Sequence, residues 1–412
     1  MERMPGQLAR RMKRRIVVWD DQVEDPRGRR GRRHGHHGLL NLLVLGFASG
    51  AHTLRHVEDL ATDLGAVARR VFGATRRVSD TALYLLLQAQ RARGLRETLL
   101  AQVKRMWRSK QLSHDAFPLG VVALDGKSVW TSTTKGLDGA RESVDGRTVT
   151  WSLRMLNAVL VSSSVKPCLD VQLIPEKAGE PAAFRDMVKR LALGFPNFEV
   201  VTGDAGLLCR ESAEVVRAAG KHYILGLKGN QPKLHDYAVS AFAALQNQAR
   251  VETLEKRNGA LVTRMLHTLV VHDVAEFDLK GAQEVWRVAQ TTQRAGLAPV
   301  VEERYFVSSL PPRSLSPTEK LRAVRLHWGI ENNRHWTLDV AFKEDDHQPC
   351  QTSVEAIEVS CWLRALAYNL IAGLRIRGPK KDKRHLPWRR VMQLYRDLLL
   401  SRVKEEPLVP IA

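Results

Sequence analysis

The chain has 412 residues, a formal net charge of +20 and a sequence pI of about 10.2; this length suggests two or three domains. With 44% hydrophobic residues it can bury a sizeable core, which excludes wholesale disorder, and the charge calls for a polyanionic partner, nucleic acid first and a membrane surface second. No apolar run reaches the roughly 18–20 residues of a bilayer span; cysteines only at 168, 209, 350 and 361, with no CxxC pair, exclude zinc knuckles and a disulfide framework and fit a reducing, cytoplasmic setting.

Residues 1–38 read as a flexible basic arm, with eleven Lys or Arg against five acids and a Gly- and His-rich stretch from Arg29 to His37. A solvated tail is the plainer reading. Leu39 to Ala51, interrupted by Gly46 and Gly50, reads as a buried helix. The segment 39–115 is helical in texture. Thr53 can cap a helix through His56, Val57 and Leu60, and Ser79 with Asp80 can cap a second that Gly94 ends. With Arg69-Arg70 and Arg76-Arg77 between them, these helices fit a DNA-binding helix-turn-helix and equally a small bundle with basic edges.

From 116 to 249 the texture becomes mixed. Gly120 to Leu124 is an apolar strand running into Asp125-Gly126. Thr148 to Val161 and Cys168 to Ile174 are further strand candidates, and Pro181 opens a helix through Leu191. Phe198 to Thr202 is a strand running into Gly203-Asp204, Glu211 to Ala219 a helix, and His222 to Leu227 a fifth strand. The order predicts an α/β fold, a mixed sheet with flanking helices. Residues 250–312 read as an inserted β-rich piece with four strand candidates, closed by Pro311-Pro312. In 313–375, Ser316-Pro317 starts a long helix carrying Leu321, Val324, Trp328 and Glu331. A buried helix, Thr352 to Ala372, follows it. Residues 376–412 read as a basic tail.

Two aspartates share one setting: each ends an apolar strand ahead of a Gly-containing turn, Leu124-Asp125-Gly126 and Gly203-Asp204-Ala205-Gly206. A carboxylate there is held rigidly and can meet its neighbour at a metal ion such as Mg²⁺. Taken singly, each is ordinary turn chemistry. A third acid, Glu331, would share a helix face with His327, Arg334 and His335. Those cations can hold DNA phosphates; the rival reading makes His327, Glu331 and His335 a zinc site, and the plain one an amphipathic structural helix.

Four segments carry a resemblance: Ala123-Leu124-Asp125-Gly126-Lys127, Thr202-Gly203-Asp204-Ala205, Leu227-Lys228-Gly229-Asn230-Gln231-Pro232 and His327-Trp328-Gly329-Ile330-Glu331-Asn332. Over roughly residues 40 to 375 the chain resembles bacterial insertion-sequence transposases of the ISAs type, relatives of the H-repeat-associated proteins. The resemblance implies an RNase-H-like core and a DDE triad of Asp125, Asp204 and Glu331 binding Mg²⁺ or Mn²⁺. The triad members lie 79 and 127 residues apart, and the longer gap holds the β-rich insertion. It also implies cutting at inverted terminal repeats of double-stranded DNA, joining of the freed 3′-hydroxyl to target DNA, and a homodimer or larger assembly on paired ends at the bacterial nucleoid. Candidate DNA contacts are Lys127, Lys228, Arg325, His327, Asn332, Arg334 and His335; Asn230 and Gln231 either read bases or form a turn. The wider supergroup has Tyr, Arg and Lys where this chain has Val324, His327 and Leu338, so those phosphate roles do not carry over. A nuclease without strand transfer and an inactive DNA-binding remnant are the alternatives.

Overall fold

A computed structural model describes residues 17–73, 77–113, 117–134, 136–244, 250–271, 277–376 and 386–400. Residues 1–16 of the expected arm, and 377–385 and 401–412 of the expected tail, lie outside that set. Among the described residues no helix is long and apolar enough to cross a membrane.

Five helices come first: α1 (His36–Ala48), α2 (Leu54–Asp63), α3 (Ala66–Phe72), α4 (Asp80–Ala89) and α5 (Leu95–Arg108). Thr53 and Ser79 cap α2 and α4 as the sequence predicts, accepting from the His56 and Ala82 amides. Then come β1 (Val121–Ser132), β2 (Arg141–Asp145), β3 (Thr148–Leu160), β4 (Cys168–Leu173), α6 (Gly179–Gly194), β5 (Val200–Gly203), α7 (Arg210–Ala218), β6 (His222–Leu227) and α8 (Pro232–Ala244). Four more strands follow, β7 (Val251–Arg257), β8 (Ala260–Val270), β9 (Glu284–Arg294) and β10 (Val300–Ser308). The chain finishes with α9 (Pro317–His327), a π-helical turn (Ile330–His335), α10 (Trp336–Val340), α11 (Val354–Ile376) and α12 (Trp388–Leu399).

All ten strands form one sheet in the order β2-β3-β1-β5-β6-β10-β9-β8-β7, with β4 beside the second half of β3. β1 runs antiparallel to β3 and β3 to β4, while β5 is parallel to both β1 and β6. This is the RNase-H-like mixed core with flanking helices that the sequence implies. Alternate residues of β1 face opposite layers. Val121 and Ala123 pack with Val200, Leu321 and Val324 of the α9 side, and Val122 and Leu124 join the larger core under α6 and α11. Such two-sided burial produces an unbroken apolar run rather than an alternating one.

The expected β-rich insertion and N-terminal helices are both present, while the expected flexible arm needs correction. The β-rich piece is continuous with the core, because β10 pairs along β6 from Tyr305↔Leu227 to Ser308↔Ile224. The N-terminal helices share one apolar core with α11, and α1 packs directly on it. Residues 17–38 are not a free arm: Val17, Trp19 and Val23 are buried, and Trp19 Nε1 donates to Asn41 Oδ1 at 3.0 Å. In place of mobility, Asp25 binds Arg27 and Arg32.

The long helix of 313–340 begins as expected, with Pro317 in its first turn and a reciprocal Ser316–Glu319 capping box. It is not continuous. Asn332 Nδ2 donates to the Trp328 carbonyl and Asn333 Nδ2 to that of Gly329, each at 2.9 Å. These side chains compete for acceptors that regular helix would use, beside Gly329, a weak helix former. The result is the π turn, a feature often found at functional sites.

Candidate active site

Register brings Asp125 and Asp204 together. The last parallel pair between β1 and β5 is Ala123↔Thr202, and each aspartate stands two residues beyond its member of that pair. Residues two apart along a strand share a face, and Asp204 keeps extended backbone at φ −74° and ψ 178°. Both carboxylates therefore lie at one level, on the face that α9 covers. β1 does not end at Asp125 as predicted; it continues to Ser132, with Asp125 opposite Asn157 on β3. β5 is the strand that stops, so β1 presents Asp125 along an edge with no further partner pairing from β5.

The turn carrying Asp204 is held by backbone proximity and by side-chain amides. Asn230 Nδ2 donates to the Ala205 and Leu208 carbonyls at 2.6 and 3.2 Å, and Gln231 Nε2 donates to Leu208 at 3.1 Å. Their structural reading, a turn, is the one found. Gly226 of β6 lies under the same turn, and a Cβ there would stand 2.8 Å from the Ala205 nitrogen. Backbone cannot swing aside as a side chain can, so Gly226→Ala should displace Asp204. Overpacking of this kind costs about 1–3 kcal/mol, so Gly226→Ala should lower the stability read by chemical denaturation; unchanged stability would mean that the turn has room for the methyl group.

Glu331 enters from α9. Thr202 Oγ1 lies 3.3 Å from His327 Nδ1, tying the end of α9 to β5 just before Asp204. Burial pushes the His327 ring down to about 4, with Asp204 opposing. Glu331 sits exposed in the π turn one residue after buried Ile330. Its charge reaches Asp125: burial, then the Glu331, Glu180 and Asp204 carboxylates, push Asp125 up to about 7. His335 Nδ1 is 3.4 Å from Asp125 Oδ2. Burial, then Arg334, Lys127 and His327, push that ring down to about 3, so this is a polar contact with a neutral imidazole.

The set suits a hard divalent cation, which takes carboxylate oxygens and neutralises acids that otherwise repel one another. Among the described residues no three His, Cys, Asp or Glu side chains are yet close enough to hold one ion jointly. Asp204 and Glu331 each act electrostatically on Asp125. The donors fit Mg²⁺ or Mn²⁺ in kind. They do not fit the zinc reading, because His327 and His335 turn to separate partners, Thr202 and Asp125.

Most of the expected DNA contacts are placed elsewhere. Lys127 is only 7% exposed and binds Asp339 at 2.6 Å and Glu344 at 3.5 Å. Arg334 is 1% exposed, donates from Nε to Asn157 Oδ1 at 3.0 Å and lies over the Tyr368 ring. Both are interior residues, because the acids and aromatic faces they meet belong to neighbouring core elements. His327 is buried as well, and Arg325 pairs with Glu255 of β7 at 3.0 Å. Lys228 and Asn332 are exposed, and His335 is half-buried beside Asp125. A group that the sequence reading passed over is Glu180 in the first turn of α6, which binds Arg154 at 2.9 Å. Pro181 drew attention as the helix start; the acid before it gave no separate signal.

A family model described as "Transposase DDE domain" matches residues 116–370, more than half of the chain. YncI of Escherichia coli O157:H7, provisionally named a transposase, is 27% identical over 288 residues, 66% of this chain and 67% of that protein. YbfL and the H repeat-associated YhhI of Escherichia coli K12, the latter also provisionally named a transposase, are each 25% identical over 297 residues, 66% of this chain and 72% of theirs. Among solved structures, a piggyBac transposase synaptic complex with hairpin DNA aligns with a TM-score of 0.47 at 10% identity, over 98% of this chain and 83% of that one.

Proposed function

The chain belongs to the DDE transposase domain family, and from that premise we propose that it cuts DNA at the ends of an insertion sequence and joins the freed 3′-hydroxyl to target DNA. What supports this reading is the approach of Asp204 and Glu331, both distant in sequence, towards Asp125. Asp125 and Asp204 stand at equal offsets beyond one strand pair, and Asp125 is electrostatically coupled to Glu331. In the reading, Asp125, Asp204 and Glu331 hold divalent ions, Mg²⁺ or Mn²⁺. Ions in such a site activate the attacking oxygen and stabilise the leaving one.

The remaining work falls to the chain itself. Asp125, rigid within β1, and Asp204, braced by Asn230 and Gln231, fix one side of the site. Glu331 approaches from the opposite element on a turn whose ends are pinned, by His327 to Thr202 and by Arg334 to Asn157. His335 stays neutral at Asp125 and adds no charge to oppose an ion. In the reading, Lys228, exposed beyond the end of β6 and two residues before Asn230, which binds the Asp204 turn, meets a DNA phosphate. Lys228→Ala should weaken DNA binding uniformly across sequences and lower the slope of log affinity against log salt by about 1. An unchanged slope would remove Lys228 from the interface.

The test is a strand-transfer assay with precut ends taken from the DNA flanking the reading frame. Joined products with Mg²⁺ support the proposal. Nicking without joining would instead favour a nuclease built on the same core, and binding without nicking an inactive remnant.

A further inference from the structure

Resting on the reading above, we infer that Glu180 is a fourth carboxylate of the metal site, binding its ion directly or through water, with Arg154 as its partner when no ion is bound. The placement is geometric. Glu180 opens α6, which follows β4, and its carboxylate packs against the β1 backbone beside Asp125. A Cβ on Gly126 would stand 2.7 Å from Glu180 Oε1 and 2.8 Å from Arg154 Nη2, so glycine makes room for both groups. The Asp125 and Glu180 carboxylates are electrostatically coupled. Glu180 is also coupled to Asp204, which burial aside is the main group opposing its ionisation. Glu180 therefore approaches Asp125 from the α6 face of β1, opposite the face that the Glu331 turn covers.

Arg154 is the cation that opposes burial and Asp204 at Glu180. Its guanidinium binds Glu180 Oε2 at 2.9 Å and reaches the Gly126 carbonyl at 3.5 Å. Arg154 is on β3, opposite Ser128 of β1, so the cation reaches Glu180 from two residues further along β1 than Gly126.

The experiment is Mn²⁺ titration of the full chain without DNA, by calorimetry, comparing wild type with Glu180→Gln, Arg154→Met and Asp125→Asn. The expected result is that Glu180→Gln binds Mn²⁺ about tenfold or more weakly, the loss typical of a residue supporting a metal site. Asp125→Asn weakens it at least as much, and Arg154→Met leaves it equal or tighter. Thermal melts of the metal-free variants check that each is folded. If Glu180→Gln binds like wild type while Asp125→Asn does not, Glu180 is structural and the inference fails, with the triad intact. If Arg154→Met loses affinity as Glu180→Gln does, Glu180 acts only through its salt bridge and the inference fails again. If Asp125→Asn also binds like wild type, the triad reading itself fails.

Discussion

Asp125→Asn should lower Mg²⁺-dependent nicking of element-end DNA by at least about 1,000-fold, or about 4 kcal/mol of barrier at 1.36 kcal/mol per tenfold, with DNA affinity unchanged. The substitution keeps the shape of the side chain and removes the charge shared by the whole site. A second readout needs no substrate. In the metal-free chain, burial and the neighbouring Glu331, Glu180 and Asp204 carboxylates push Asp125 from 3.8 up to about 7. The folded chain then holds a proton that the unfolded chain releases, so stability falls as pH rises from 3.8 to about 7 and stays lower above that. Asparagine cannot ionise and escapes this loss. In EDTA, the variant should melt several degrees above wild type at pH 8 and level with it near pH 4. Equal melting at pH 8 would show that no repulsion is stored among these acids, and the metal-site reading would lose its physical basis.

Lys127→Met should lower the melting temperature sharply, by the equivalent of about 3–5 kcal/mol. Removing one member of a buried ion pair strands the other's charge. Lys127 is enclosed between Asp339 of α10 and Glu344, at 2.6 and 3.5 Å. Burial alone would pull its ammonium down, yet Glu344, Asp339 and Asp345 outweigh it and hold the pKa above the ordinary value. The pair joins β1, two residues after Asp125, to the helix that follows the Glu331 turn. Nicking should therefore fall along with stability, even at temperatures where the variant stays folded. A phosphate contact would behave in the opposite way: melting unchanged, DNA affinity reduced and the salt slope smaller by about 1. Chemical denaturation and a salt titration of binding separate the two.

The contrast between Asp125 and Lys127 shows what a sequence can and cannot convey here. The mixed sheet, the order of its core strands and the acids beside two of them were legible, because apolar runs buried on both faces are hard to mistake and Asp-Gly or Gly-Asp marks where they meet solvent. The helix start at Ser316-Pro317 was legible through its cap. Less legible was the continuation of β1 past Asp125-Gly126. A strand with one side left free by its neighbour's end looks locally the same as a strand that turns. Lys127 and Arg334 read as surface cations because burial of a charge depends on acids or aromatic rings brought from far along the chain, Asp339 in one case and Tyr368 in the other. Glu180 was hidden for the same reason, its proximity to Gly126 being created by folding alone. The π turn was masked by a pattern that suits an uninterrupted helix, and two asparagine side chains decide otherwise.

The packing of α1 on α11 has a consequence for how the protein is made. Leu39 to Ala48 are buried in the finished molecule, yet the helix they lie against is supplied roughly 300 positions later. At a synthesis rate of about 5–20 residues per second, a nascent chain carries that oily segment unshielded for tens of seconds. Glu331 emerges only shortly before α11, so a polypeptide that stops early presents a sticky N-terminal helix to the quality-control machinery before it possesses all three of the proposed metal-binding acids. Prematurely ended copies should accordingly be short-lived in the cell, and harmless to its chromosome while they last.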